Sequence, residues 1–175
     1  MRAVAPILLA SSLLAPGFAR ADLENEVKAA YLFRFLSYLE WSEPAAPSGE
    51  GAPLVIGVIG ADDVYDALKD IVQGRLAQGR PVEVRRLKDG DDAKGVHLIF
   101  VGKSAAGGLP KWASGNGAVV VSEVDGALKR GAAINLLRKA DHVRFEVAPL
   151  AAEKKGVRIS SRMLAIAAHV ETDTP

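Results

Sequence analysis

Pro53-Leu54-Val55-Ile56-Gly57-Val58-Ile59-Gly60 holds five Leu, Val or Ile residues and no charge. A half-buried strand alternates apolar with polar residues. A run apolar on both faces reads instead as a strand covered on both sides, as at the centre of a parallel sheet. Pro53 and Gly60 bound the run, which is too short for a helix. Ala61-Asp62-Asp63 then offers helix N-cap chemistry, and Val64, Leu68, Ile71 and Val72 recur at helical spacing, predicting a helix over 62–74. The core therefore starts as a strand–helix unit. Two like runs, His97-Leu98-Ile99-Phe100-Val101 and Ala118-Val119-Val120-Val121, are expected to flank it.

Upstream, residues 22–41 carry Leu23, Val27, Ala30, Tyr31, Phe35, Tyr38 and Leu39 at helical spacing with no Gly or Pro, and Glu24 and Glu26 suit the first turn of the helix so predicted. The segment holds five of the nine aromatics left outside residues 1–21. It is apolar nearly all round, so Leu32, Phe33 and Leu36 would be wet if only one face were buried. Two readings stay open: a helix wedged between the sheet and a later segment around Met163, Leu164 and Ile166, or one whose second face meets a partner or a second copy of the chain. Residues 44–52 are a Pro/Ala/Gly/Ser loop.

Downstream, 74–80 reads as a polar turn and 81–87 as an edge strand opened by Pro81. A charged connection, a buried strand over 96–102, a weak helix over 104–114, a strand over 117–124 and a helical turn ending at Gly131 follow. Residues 132–138 and 142–147 form an antiparallel hairpin across Lys139-Ala140-Asp141, with Val143, Phe145 and Val147 facing inward and His142, Arg144 and Glu146 outward. A helix over 149–155 capped by Gly156, an extended piece over 157–159 and a last helix over 162–170 capped by Ser160 or Ser161 complete the chain. The sum is an α/β fold: a three-layer domain over 22–175, with a mostly parallel central sheet, an antiparallel edge hairpin and helices on both faces.

Residues 1–21 read as a cleaved export signal. Arg2 gives the positive region, 7–14 a short apolar stretch, and Ala19-Arg20-Ala21 a small-x-small cleavage site with cleavage after Ala21. Removing Arg2 and Arg20 turns the net charge from +1 to −1, a balance without a nucleic-acid footprint. The chain has no cysteine, which excludes disulfides, thiol catalysis and thiolate metal sites. The expectation is a soluble, exported single domain.

Catalytic signals are absent. Gly57-Val58-Ile59-Gly60 is half of a dinucleotide fingerprint, and Gly102-Lys103-Ser104 lacks the earlier glycine of a P-loop. Asp62 and Asp63 resemble the acidic pair of a phospho-receiver, but Gly102-Lys103 stands where its acceptor aspartate would be, so the pair reads as helix capping. Asp89-Gly90-Asp91-Asp92 lacks the spaced ligands of a calcium loop. His97, His142 and His169 are isolated, and no serine has a nucleophile-elbow context. The chain reads as a non-enzyme without cofactor or metal.

A resemblance then emerges. Glu26-Val27-Lys28-Ala29-Ala30-Tyr31-Leu32-Phe33-Arg34-Phe35 with Glu40-Trp41 is similar to the opening helix of YfiR-like proteins. The blocks Gly131-Ala132-Ala133-Ile134-Asn135-Leu136, Val143-Arg144-Phe145-Glu146-Val147 and Gly156-Val157-Arg158-Ile159-Ser160-Ser161-Arg162-Met163-Leu164 resemble the family's close, and the likeness spans 24–170. The resemblance implies a periplasmic, non-enzymatic regulator that represses an inner-membrane diguanylate cyclase, relieved by an outer-membrane lipoprotein, lowering cyclic-di-GMP and so biofilm, and usually a homodimer. Family members' disulfide-based redox control has no counterpart in a chain without cysteine.

For such a binder, Asn135, His142, Arg144 and Glu146 on the hairpin's wet face are the candidate partner surface. Leu32, Phe33 and Leu36 are the candidate dimer or partner helix face. The rival reading is a solute-binding domain. It would use the carboxyl ends of the parallel strands, at Gly60-Ala61-Asp62, Gly102-Lys103-Ser104 and Ser122-Glu123.

Overall fold

The structure, a computed structural model, describes residues 16–115 and 117–172. Most of the expected export signal, 1–15, lies outside the described residues. Helix α1 spans Pro16–Phe35, strand β1 Leu39–Trp41, β2 Leu54–Ile59, α2 Asp62–Ile71, β3 Leu76–Ala77, β4 Arg80–Arg86 and β5 Leu98–Val101. Then come α3 Leu109–Ser114, β6 Val119–Ser122, β7 Ile134–Lys139, β8 His142–Val147, α4 Pro149–Glu153, β9 Val157–Ile159, α5 Ser161–Ile166 and β10 His169–Val170. Short 3-10 segments cover Lys103–Gly108 and Leu128–Arg130.

The quoted run is β2, buried at every residue. It lies within the sheet order β10-β8-β7-β6-β5-β2-β4-β3, parallel to β4 on one side and β5 on the other. Only one of the two expected flanking runs touches it: β6 lies beyond β5, and β4 takes the other side. β4 is amphipathic, so a search for fully apolar runs passes over it. The expected hairpin is present, with Asn135 opposite Glu146 and Leu137 opposite Arg144, closed by a two-residue turn at Ala140 and Asp141.

Alternate β2 residues serve opposite faces. Leu54, Ile56 and Val58 join Leu98, Phe100, Val119 and Val121 under α1 and α2, through Leu32, Phe35, Leu36, Val64 and Leu68. Val55 and Ile59 join Ile99, Val101 and Val120 under α3, through Leu109 and Trp112. The molecule is thus a three-layer α/β structure. Each fully buried Leu, Ile or Phe contributes roughly 1.5–3 kcal/mol of transfer free energy, so these two clusters carry the fold.

Several boundaries differ from the sequence expectation. The first helix begins at Pro16, so Glu24 and Glu26 lie past its first turn, and it ends at Phe35. Leu39–Trp41 continues the apolar spacing but pairs antiparallel with Val157–Ile159. The last helix stops at Ile166, because His169–Val170 turns extended to pair with β8. The polar turn before β4 contains a small hairpin, β3 with β4, whose turn residue Gln78 has φ of 52°. Its side-chain amide donates to the Leu36 and Leu39 carbonyls at 2.5 and 2.7 Å, closing the end of α1. Asp62 does not cap α2. The N-cap is Ala61 without a side-chain bond, and Asp62 instead pairs with Arg86, which also reaches Asp66 at 3.1 Å.

Candidate functional site

The outer hairpin presents part of the predicted surface. His142 and Arg144 are exposed and Glu146 is half-buried. β10 lies beside β8 only at Glu146 and Val147, so among the described residues no strand flanks His142 to Arg144 on the side away from β7. A groove of about 620 Å³ runs between this strand and α1, lined by Leu23, Val27, Tyr31, Arg138 and His142. Asn135, however, is 5% exposed and presents nothing to a partner. Oriented to suit its neighbours, its amide donates to the Ser122 and Val124 carbonyls at 3.0 and 3.3 Å. It ties β7 to the end of β6, because the chain leaving β6 covers that end of the wet face.

The helix face differs as well. Leu32 and Leu36 are wholly buried, so they offer no dimer or partner surface, and Phe33 is half-buried against the same cluster. Tyr31 and Phe35 pack on Phe145, with ring centroids 5.2–5.7 Å apart. Met163 joins this core, whereas Ile166 is 58% exposed.

The carboxyl end of the sheet has its strand-order switch between β2 and β5, where open α/β sheets usually hold ligands. Here the backbones at Gly60 and Gly102 are in contact, and a pocket of about 500 Å³ remains beside them, lined by Ile59, Gly60, Leu87, Ser104, Ala105 and Trp112. A Cβ on Gly102 would fall 2.2 Å from the Gly60 carbonyl oxygen, and one on Gly60 would meet Ala105 at 2.6 Å. Ser104 Oγ donates to that same Gly60 carbonyl at 2.8 Å. Beside it, Lys28 of α1 is buried, its Nζ 2.6 Å from Glu123 Oε2 and 2.7 Å from Glu24 Oε1. Burial alone would lower the Lys28 pKa, but the two carboxylates outweigh it and hold the pKa above the usual lysine value. Hydrogen bonding to Lys28 in turn holds Glu24 below the usual carboxylate range. Glu123 also accepts from the Lys103 backbone N–H at 3.3 Å. The sequence carried one signal for this cluster, the i, i+4 spacing of Glu24 and Lys28.

The amino end is open. A cleft of about 850 Å³ lies between the 44–53 loop, the starts of β2 and β5, and the turn after α4. Its floor is Val55 and His97; Pro44, Ala45 and Pro47 form an apolar wall. Arg85, Lys94, Lys154 and Lys155 line it, and no carboxylate side chain does. His97 Nδ1 accepts the Val55 backbone N–H at 3.0 Å. Burial, then the charges of Arg80 and Arg85, push the His97 pKa down. Lys155 Nζ donates to the Gly115 carbonyl at 2.8 Å and its pKa is lowered by burial. These cations come from three separate segments, so no motif announced them.

The family model described as YfiR/HmsC-like matches residues 25–168. The chain belongs to the YfiR/HmsC-like family. No curated protein matches the chain. Among solved structures, a conserved domain protein from Vibrio cholerae O1 biovar El Tor is similar, with TM-score 0.58 at 14% identity over 84% of this chain and 60% of that one. The chain thus spans about three-fifths of that protein's length, and at this identity the likeness speaks for the fold. Among the described residues, no group of His, Cys, Asp and Glu could hold a metal, and no helix is long and apolar enough to cross a membrane.

Proposed function

We propose that this YfiR/HmsC-like protein is exported by cleavage after Ala21, binds the periplasmic part of an inner-membrane diguanylate cyclase, and represses it. The observation that carries the reading is the family match over residues 25–168. An outer-membrane lipoprotein that sequesters the protein, and a homodimer, belong to the same reading. The outer strand β8 is the favoured contact, since His142 and Arg144 stand exposed where β8 has no strand on its outer side, away from β7, among the described residues.

The test is co-purification from detergent-solubilised membranes, with cyclic-di-GMP measured in a deletion strain. A captured cyclase and raised cyclic-di-GMP support the reading. Capture of no membrane sensor, with cyclic-di-GMP unchanged, overturns it. Reversing the charge of exposed Arg144, together with that of half-buried Glu146, should abolish capture; Arg144→Glu alone should leave the melting temperature nearly unchanged, since exposed charges contribute ~0–1 kcal/mol. Retained capture moves the contact off β8. Light scattering reports the dimer. A solute-binding reading at the carboxyl ends of the strands has only the smaller pocket of about 500 Å³ beside Gly60, narrowed by the backbone contact with Gly102.

A further inference from the structure

We propose that the cleft at the amino end of the sheet binds a small organic anion, a carboxylate or phosphate head group carried on an apolar body. The site is separate from the β8 surface and stands whether or not the partner is a cyclase.

Size, charge and lining all bear on this. At about 850 Å³ the cleft lies in the range of small-ligand sites, roughly 300–1,000 Å³. Its walls are divided. Pro44, Ala45 and Pro47 make one side apolar, and Lys94, Lys154 and Lys155 make the other cationic. Protein surfaces normally intersperse both signs. Here neither Lys94 nor Lys154 has an ion-pair partner among the described residues, and Arg85 has Glu83 only at 3.9 Å. Lys155 is held by a neutral carbonyl in place of a carboxylate. A half-buried ammonium without a counter-charge is an unfavourable arrangement that an arriving anion relieves.

The floor makes the same point independently. His97 cannot supply positive charge, because its Nδ1 is committed as an acceptor from Val55. Its protonation is disfavoured by burial first, and then by Arg80 and Arg85. The two guanidiniums thus add to the positive charge around the cleft. The apolar wall is firmly placed: Arg80 donates to the carbonyls of Gly49 and Ala52, each at 3.0 Å, and so holds the 44–53 loop against β4. A concave, pre-formed site of this kind suits a compact molecule rather than an extended acidic segment.

The test uses the full exported chain, uniformly labelled with nitrogen-15, titrated with phenyl phosphate, 3-phenylpropionate, inorganic phosphate and uncharged benzyl alcohol. Saturable shifts of the Val96, His97 and Gly156 amides with phenyl phosphate or 3-phenylpropionate, and none with benzyl alcohol, support the site. The responding compound names the head group. A Lys94→Glu/Lys154→Glu variant should weaken that response by about tenfold or more, from the Coulomb term of two reversed charges. Its melting temperature should stay unchanged, as both side chains are exposed and unpaired. Inorganic phosphate binding as tightly as phenyl phosphate overturns the apolar-body part. No saturable shift with either aromatic anion, or an equal response in the variant, overturns the site.

Discussion

The two ends of one sheet are built in opposite ways. At the carboxyl end, Lys28 is satisfied by Glu24 and Glu123, and Gly60 and Gly102 bring two backbones into contact. At the amino end, cations face a cleft of about 850 Å³ with no carboxylate lining it. Open α/β sheets place ligands at the carboxyl ends of the strands, because crossover connections leave a crevice there. This chain narrows that crevice with its own backbone, leaving about 500 Å³ beside Gly60, and keeps the roomier cleft at the other end. Fold class therefore predicts where a crevice forms, and particular side chains decide whether it stays open.

The comparison breaks most visibly at Lys28. Lys28→Met should cost about 3–5 kcal/mol in urea unfolding, because it leaves Glu123 buried without its partner. Lys28→Met/Glu123→Leu should recover much of that loss. A double variant as unstable as the single one would show that charge pairing does not seal this end.

Gly102→Ala should come next, at roughly 1–3 kcal/mol, as the added Cβ has no room beside the Gly60 carbonyl. A neutral result would mean that the backbones separate easily and the crevice can open.

His97 gives a smaller, pH-dependent effect. Its folded pKa is depressed, so below about pH 6.5 the unfolded chain takes up a proton that the native chain resists. Wild-type stability should therefore fall as the pH drops through that value towards the folded pKa. His97→Gln should lose this component of the slope in denaturant titrations. Equal slopes would remove His97 from the account of the amino end.

Smallest of all, Lys94→Gln and Lys154→Gln should each change stability by less than about 0.5 kcal/mol. A larger loss in either would reveal a structural role and sharpen the contrast between the two ends.

How much of this the sequence could carry depended on range. β2, β5 and β6 were legible because burial on both faces is written into consecutive residues. The β7–β8 hairpin was legible because alternation and a short turn are local. β1 and β10 were not. Leu39–Trp41 fits the helical spacing that precedes it, and only its pairing with Val157–Ile159, far along the chain, makes it a strand. For the site, alternation placed His142 and Arg144 outward correctly. The same rule misplaced Asn135, because what covers a side chain comes from another element, here the Ser122 and Val124 carbonyls. Leu32 and Leu36 looked surplus to a one-faced helix, and the core takes them both. The amino-end cleft gave no signal at all, as Arg85, Lys94 and Lys154 meet only when the fold is complete.

Gln78 has a consequence for how the molecule opens. One amide, on a two-residue turn, holds the carbonyl of Leu36, just past α1, and that of Leu39, where β1 begins, across about 40 positions of chain. The last turn of α1 and the β3–β4 tip cannot fray separately without losing those bonds. Amide protons at Glu40 and Ala77, in the hydrogen-bonded pairs of the two ladders, should then exchange with solvent in one shared event, so a distant edge hairpin behaves kinetically as part of the segment that leaves the first helix.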